Sequence, residues 1–306
     1  MSSIITNTAA MTALKTLQQT NKALESTQNR ISTGYKVSEA SDNAAYWSIA
    51  TTMRSDNKAL STVQDALGLG SAKVDTAYTG MNAAIKVVDE IKAKLVAARE
   101  PGVDRSKVQE EIGQLQEQLI SITTASSFSG ENWLSVDSGA ADYAATKSIV
   151  ASFDRSSTGS VSVNTVDIDI STTELFDADD QSGILDTEFT TTGTGAAVVS
   201  VSTLDITAAG IDNTDIDDMI SNVDTALKDM TTAASTLGAA KGRISIQKDF
   251  VGNLMDAIES GISTLVDADM TKESTRLQAL QTQQQLGIQA LSIANSSAQS
   301  VLSLFR

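Results

Sequence analysis

The stretch Met53–Ala98, MRSDNKALSTVQDALGLGSAKVDTAYTGMNAAIKVVDEIKAKLVAA, carries an apolar residue at every seventh position: Met53, Leu60, Leu67, Val74, Met81, Val88 and Leu95. Val63, Ala77, Ala84, Ile91 and Ala98 fill most positions three residues later. A sustained seven-residue repeat predicts a long helix packed against other helices with a left-handed twist. The pattern recurs twice. A shorter segment has Val108, Ile112, Leu115, Leu119 and Ile122. A long one has Ile216, Val223, Met230, Leu237, Ile244, Val251, Ile258 and Leu265. At 1.5 Å per residue the two long helices each span on the order of 60–75 Å. The expected fold is mainly α, a long antiparallel helical bundle.

The helix limits are written in local chemistry. Glu100-Pro101-Gly102-Val103 contains the chain's one proline and breaks the first long helix. Asp104 suits the N-cap of the next, and Ser129-Gly130 its end. Thr214 is the expected cap of the third heptad helix, with Asp215, Asp217 and Asp218 near its positive end. Asp267-Ala268-Asp269 marks a joint before a last helix. At the amino end Met11, Leu14, Leu17, Leu24 and Ile31 form a helical stripe, with Gly34 as its stop. Gly68-Leu69-Gly70 falls inside the first heptad helix, so it reads as a packing point and not a phosphate loop.

Residues 131–212 change character. Val161, Val163, Val166, Ile168 and Ile170, then Val199, Val201, Leu204 and Ile206, predict two strands, each with a phase slip that implies a bulge or turn. This β-rich insertion holds the charge. Between Asp137 and Asp218 there are 16 acidic residues against Lys147 and Arg155, whereas the whole chain has net charge −16. The rest is nearly neutral, with no basic stripe for nucleic acid.

From Leu277 to Phe305 there is no charge for 29 residues, yet glutamine, serine and asparagine abound. That glutamine content excludes a lipid span. A helix without charge suits burial among other helices, where uncharged polar groups bond each other without the cost of desolvating an ion. The expected source of burial is other copies of this chain. The first residues lack the basic and apolar regions of a cleaved signal peptide.

Chemistry is hard to place here. There is no His and no Cys. Asp177-Ala178-Asp179-Asp180-Gln181-Ser182-Gly183 fails the calcium-loop pattern, because its glycine is late and the bidentate Glu is missing. Nucleotide, zincin and serine-hydrolase motifs are absent. Trp47 and Trp133 read as packing anchors. No catalytic, cofactor or metal site is expected.

Two long motifs now point to a family. Asn29-Arg30-Ile31-Ser32-Thr33-Gly34-Tyr35-Lys36-Val37-Ser38-Glu39-Ala40-Ser41-Asp42-Asn43-Ala44-Ala45-Tyr46-Trp47-Ser48-Ile49-Ala50 resembles the amino-terminal signature of bacterial flagellin. Gln289-Ala290-Leu291-Ser292-Ile293-Ala294-Asn295 with Val301-Leu302-Ser303-Leu304-Phe305-Arg306 resembles its carboxy-terminal signature. The variant Ser41–Trp47 is similar to flagellins of soil and plant-associated alphaproteobacteria. The resemblance covers about 1–130 and 213–306; the middle matches only in position and composition.

The resemblance implies a subunit of the motor-driven filament for swimming. It implies an inner tube from 1–44 and 266–306, an outer tube from 45–130 and 213–265, and an outward region 131–212. The inner-tube interface would then use Leu14, Leu17, Leu24, Ile31, Leu280, Ile288, Leu291, Leu302 and Phe305. Outer-tube packing would use Met53, Leu60, Leu67, Val74, Met81, Val88, Leu95, Val223, Leu237, Ile244, Val251 and Ile258. Implied partners are the chain itself, an export chaperone on Leu277–Arg306, and cap and junction proteins. Implied location is the extracellular filament, reached by type III export. Plant immune receptors of the family's hosts read the segment matching Asn29–Ala50, so Arg30, Gly34, Asp42, Asn43 and Ile49 are epitope candidates. Asp89–Arg99 departs from the pattern read by the animal receptor, which predicts weak activation. A hook–filament junction protein, a cytosolic coiled-coil scaffold and an adhesin are the competing readings.

Overall fold

The computed structural model describes residues 7–156 and 158–303, with side chains through 297. It is mainly α-helical with a small β region in the middle of the chain. Three helices come first: α1 (Thr8–Thr33), α2 (Ala44–Ala98) and α3 (Arg105–Ala125). Short strands follow: β1 (Ser127–Phe128), β2 (Glu131–Asn132), β3 (Ser135–Val136), β4 (Thr146–Arg155), β5 (Val161–Asp169), β6 (Phe176–Asp177), β7 (Phe189–Thr190) and β8 (Val198–Val199). Two helices close the chain, α4 (Asn213–Val266) and α5 (Met270–Ser303). The chain divides into two compact units, one of residues 1–57 with 256–306, the other of 58–255.

In the second unit α2 and α4 run antiparallel. Arg99 meets Asp217 through two hydrogen bonds of 2.7 and 3.0 Å, Lys92 meets Asp224 at 2.5 Å, and Lys241 meets Asp75 at 2.7 Å. The core between the helices is built from the heptads. Leu67, Val74, Met81, Val88 and Leu95 of α2 are fully buried, as are Ile216, Val223, Met230, Leu237 and Ile244 of α4. Leu60 and Val251 are buried as well. From α3, Ile112 and Leu119 join the core, and Asp104 caps the helix by accepting from the Ser106 N–H at 3.1 Å. Two glycines of α2 admit close neighbours. A Cβ at Gly70 would lie 2.5 Å from Ile149 Cγ2, and one at Gly80 would lie 2.1 Å from Ser126 Oγ.

The β region departs from expectation in three places. β4 and β5 pair antiparallel from Thr146↔Asp169 to Arg155↔Val161, with a register shift between Val150 and Ser152. The bulge therefore sits on β4, at Ala151, and β5 alternates without a slip, with Val166 and Ile168 inward and Val161 and Val163 on the opposite face. The second expected strand, 199–206, is a strand only at Val198–Val199 and then turns. Val201, Leu204 and Ile206 are still buried, but their backbone is satisfied by side chains. Gln116 Nε2 donates to the Val201 and Leu204 carbonyls, Gln109 Nε2 donates to the Leu204 carbonyl, and Gln109 Oε1 accepts from the Ile206 N–H. Glutamines of α3 replace a ladder there. Finally, Ser129-Gly130 does not end α3. The helix stops at Ala125, and Ser129-Gly130 turns the β1–β2 pair with φ of 55° and 81°.

The start of α4 also differs. Thr214 lies inside the helix, and Asp212 is the cap, accepting from the N–H groups of Thr214 at 2.7 Å and Asp215 at 3.1 Å. Asp212, Asp215 and Asp218 then hold the 192–195 loop. Asp218 accepts from Thr192 N and Oγ1, Asp212 from Thr194 N and Oγ1, and Asp215 from Gly195 N. The Thr194 hydroxyl and backbone N–H, with the helix N–H groups, hold the Asp212 carboxyl well below the usual range. Asp215 is lowered chiefly by the Asp212 N–H. Depressed carboxylates contribute stability that is full above the unfolded pKa of about 3.9 and lost as pH falls through the folded values. We predict that the Thr194 and Gly195 amide resonances move only on acidification below about pH 4. Asp212→Ala should produce the same shift at neutral pH. Resonances unmoved in that variant would contradict the capping role.

In the first unit α1 and α5 lie along each other in opposite directions, and the segments joining them to α2 and α4 are cross-tied. The Lys36 N–H donates to the Val266 carbonyl at 2.7 Å, the Ala268 N–H donates to the Gly34 carbonyl at 2.8 Å, and Tyr35 bridges Asp267. A local core of Val37, Ala50, Ile262 and Val266, with Met53, Ile258 and Leu265 against it, fills the joint. Asp269 caps α5 by accepting from Thr271 and Lys272 N–H groups.

Candidate assembly surface

The candidate surface belongs to the α1–α5 pair. Asn7 caps α1, accepting from the Ala10 N–H at 3.0 Å while its amide donates to the Ala294 carbonyl at 2.9 Å. Gln284 Nε2 donates to Asn21 Oδ1 at 2.9 Å, and Arg30 meets Glu273 at 3.4 Å. Gly34, with φ of 76°, ends α1 in the left-handed region, its N–H returning to the Arg30 carbonyl. Partial burial recurs on α5 at Leu277, Leu280, Gln284, Gly287, Leu291 and Ala294. That three-and-four spacing is a seam. A Cβ at Gly287 would lie 3.3 Å from Leu17 Cδ1, which puts Leu17 on the opposite wall.

The seam is thin. On α1 the buried residues are Thr20 and Thr27, and no large apolar side chain is fully covered. The sequence-expected interface residues divide accordingly. Leu17, Leu24, Ile31, Leu280 and Leu291 are half-buried, whereas Leu14 and Ile288 are exposed. Leu302, as a side chain, and Phe305 lie outside the described residues. Met11, Leu286 and Ile293 are exposed too, the last at 68%. Exposed apolar groups thus share α5 with a glutamine run and no charge after Arg276. Water is a poor neighbour for such a face, and ions are absent from it.

The epitope candidates sit at the joint. Asp42 accepts from the Ser38 and Glu39 N–H groups at 2.9 and 3.3 Å; these bonds, with Arg30 nearby, hold its carboxyl below the usual range. Asn43 caps α2 by accepting from Ala45 and Tyr46 N–H groups, and Ile49 is 49% exposed. Arg30 and Asp42 line one groove with Asn29, Tyr35 and Ser38. Trp133 is buried, but Trp47 is at the surface of the single chain, so only the former anchors packing within it. Of the outer-packing set, Met53 and Ile258 belong to the joint and the remainder to the second unit's core.

The Asp177 carboxylate is spent on the Ser138 and Asp179 N–H groups and the Ser182 hydroxyl, which shapes its loop. Among the described residues no cluster of acidic side chains is arranged to hold a metal. None of the described helices is long and apolar enough to cross a membrane. Sequence reasoning missed the Arg30–Glu273 pair and the Asp218–Thr192 contact, because both join residues far apart in the chain.

Comparison with known proteins agrees with these ends. The model of the bacterial flagellin N-terminal helical region matches residues 4–139, and that of the bacterial flagellin C-terminal helical region matches 220–305. Flagellin C of Rhizobium meliloti (strain 1021) is 54% identical over 322 aligned residues, covering 100% of both chains. Flagellin A of the same strain is 48% identical over 396 aligned residues, again with 100% of both covered. A flagellin of Brucella melitensis biotype 1 is 49% identical over 310, with the same coverage.

Proposed function

This chain belongs to the bacterial flagellin family and is a structural subunit of the flagellar filament, not an enzyme, and on that premise we propose which of its surfaces build the polymer. Its principal partner is itself, and its place is the extracellular filament that drives swimming. The junction-protein and scaffold readings are not favoured, since both terminal regions and the full-length relatives are flagellins.

Residues 1–44 and 266–306 form the inner tube, 45–130 and 213–265 the outer tube, and the acidic 131–212 faces solvent. The supporting observation is the α5 face: uncharged, with Leu286, Ile288 and Ile293 uncovered in the single chain. Leu14 and Ile288 make contacts between subunits. Leu17, Leu24, Ile31, Leu280 and Leu291 hold the α1–α5 seam and extend that surface. The heptad set from Leu60 to Leu95 and from Val223 to Val251 keeps the outer-tube helices together, with Met53 and Ile258 at the joint. The carboxy-terminal segment Leu277–Arg306 is where an export chaperone binds before secretion; cap and junction proteins meet the finished ends. Arg30, Gly34, Asp42, Asn43 and Ile49 form the surface an immune receptor would read on a free subunit.

A thin seam predicts that both ends open in the monomer and close in the polymer. Trypsin should cut at Lys15, Lys22 and Arg276 in monomers within minutes and leave them intact in filaments. Equal resistance in the two states would defeat this.

A further inference from the structure

Three carboxylates lie together inside the acidic insertion. Glu174 is 4% exposed, Asp177 is 1% exposed, and Asp186 is half-buried beside them. They tie stretches of chain that share little regular structure. The Tyr143 hydroxyl donates to Glu174 Oε1 at 2.5 Å. The Ser138 and Asp179 N–H groups and the Ser182 hydroxyl donate to Asp177. Asp186 accepts from the Asp177 N–H at 3.2 Å and from the Ser202 hydroxyl at 2.9 Å. Gly183 admits the close turn between them, since a Cβ there would lie 2.5 Å from the Leu175 carbonyl oxygen.

No cation neutralises this row. Among the described residues no Lys or Arg pairs with any of the three; Lys147 meets Glu131 at 3.3 Å instead, and Arg155 lies over the Phe153 ring. Like charges in so dry a place cannot all persist, and the donors decide which one does. Burial raises Asp177, but the hydroxyl and N–H of Ser138 and the Asp179 N–H outweigh it and hold the carboxyl below the usual range. Burial raises Glu174, against the Tyr143 hydroxyl, and Asp177, Asp169 and Asp180 facing it add to the rise. Burial raises Asp186 too, against the Ser202 hydroxyl and the Asp177 N–H, and Asp177 is the charge that faces it.

We propose that the insertion carries a proton-operated clasp: with Glu174 and Asp186 neutral beside a charged Asp177, the stretches 138–143, 174–186 and 200–203 close on one another, and when both ionise these stretches loosen while the long helices stay folded. The clasp is independent of the filament contacts proposed above. A neutral Glu174 still accepts from Tyr143, and a neutral Asp186 still accepts from Ser202, so protonation removes repulsion and keeps the bonds. Carboxyls raised in the folded chain contribute stability that is complete below their unfolded values of about 4 and lost as pH rises through the folded ones. The Asp212 cap fails in the opposite direction, below about pH 4, so the insertion is tightest in mild acid.

Hydrogen exchange of the full chain reads the clasp. The Ile184 N–H donates to the Glu174 carbonyl, the Leu185 N–H to the Leu175 carbonyl and the Ser202 N–H to the Leu185 carbonyl. Corrected for intrinsic rates, protection of these amides should rise several-fold from about pH 7.5 to about pH 5, while amides of α2 around Leu67 hold constant. Glu174→Gln/Asp186→Asn, uncharged at both positions, should show the acid level of protection throughout. Carbon-13 shifts of the parent carboxyls should show Glu174 and Asp186 taking protons at higher pH than the exposed carboxyls. Flat protection in the parent, a double variant that keeps the parent's full pH response, or Glu174 and Asp186 titrating with the exposed carboxyls would each overturn the clasp. The two parent measurements decide it whether or not the double variant folds.

Discussion

Ile288→Asp chains fold as the parent does but do not assemble. In the single chain Ile288 is 53% exposed, so a carboxylate there costs the monomer little. On the proposed assembly the same position becomes buried against neighbours, in a stretch with no cation from Leu277 to Phe305 to pair with it. An unpaired buried charge costs roughly 3–5 kcal/mol. At about 1.4 kcal/mol per factor of ten, the critical concentration rises at least about a hundredfold. Ile288→Asn, polar but uncharged, should fall between, because the face already tolerates glutamine. Leu291→Asp also blocks assembly, but with a different signature: Leu291 is half-buried in the seam, so that variant loosens the α1–α5 pair in the monomer as well. Seeded polymerisation followed by light scattering measures both. Normal growth of Ile288→Asp filaments would remove Ile288 from the interface.

The second large effect is on stability. Leu67→Ala is expected to cost about 3 kcal/mol, in the range of roughly 2–5 for a truncated buried leucine. Leu67 is fully buried between the long helices, and its neighbour Leu69, two residues on, is 50% exposed. Leu69→Ala should therefore cost less than about 0.5 kcal/mol. Urea unfolding followed by Trp133 fluorescence and circular dichroism reports the difference, with midpoints moving at unchanged slope. Similar losses at the two positions would mean that the heptad does not define the core.

The heptads were legible because burial of an entire helix face leaves a periodic trace that no local accident erases. Seven-residue spacing from Leu60 to Leu95 reads directly as the buried row of α2. Turn chemistry was less so. Asp212-Asn213-Thr214-Asp215 offers several good caps in succession, and the choice of Asp212 depends on the 192–195 loop lying within its reach. Alternation at 199–206 promised a strand, but the backbone groups were claimed by Gln109 and Gln116 from α3, a contact across roughly 90 residues of chain that no local pattern records. The proposed assembly face is written in the sequence in a different way, as an absence. Twenty-nine uncharged residues made sense only with partners, and the single chain leaves Ile288 and Ile293 uncovered while pairing Leu280 and Leu291 with α1. Sequence alone could not divide that set between seam and outer face, since helical phase depends on where α1 comes to lie.

A helical reconstruction of the filament tests the central claim most directly. The account predicts α1 and α5 at the smallest radius, with Leu14 and Ile288 packed against neighbouring subunits and residues 131–212 at the largest radius in solvent. A filament in which Ile288 faces water and touches no other subunit would contradict it.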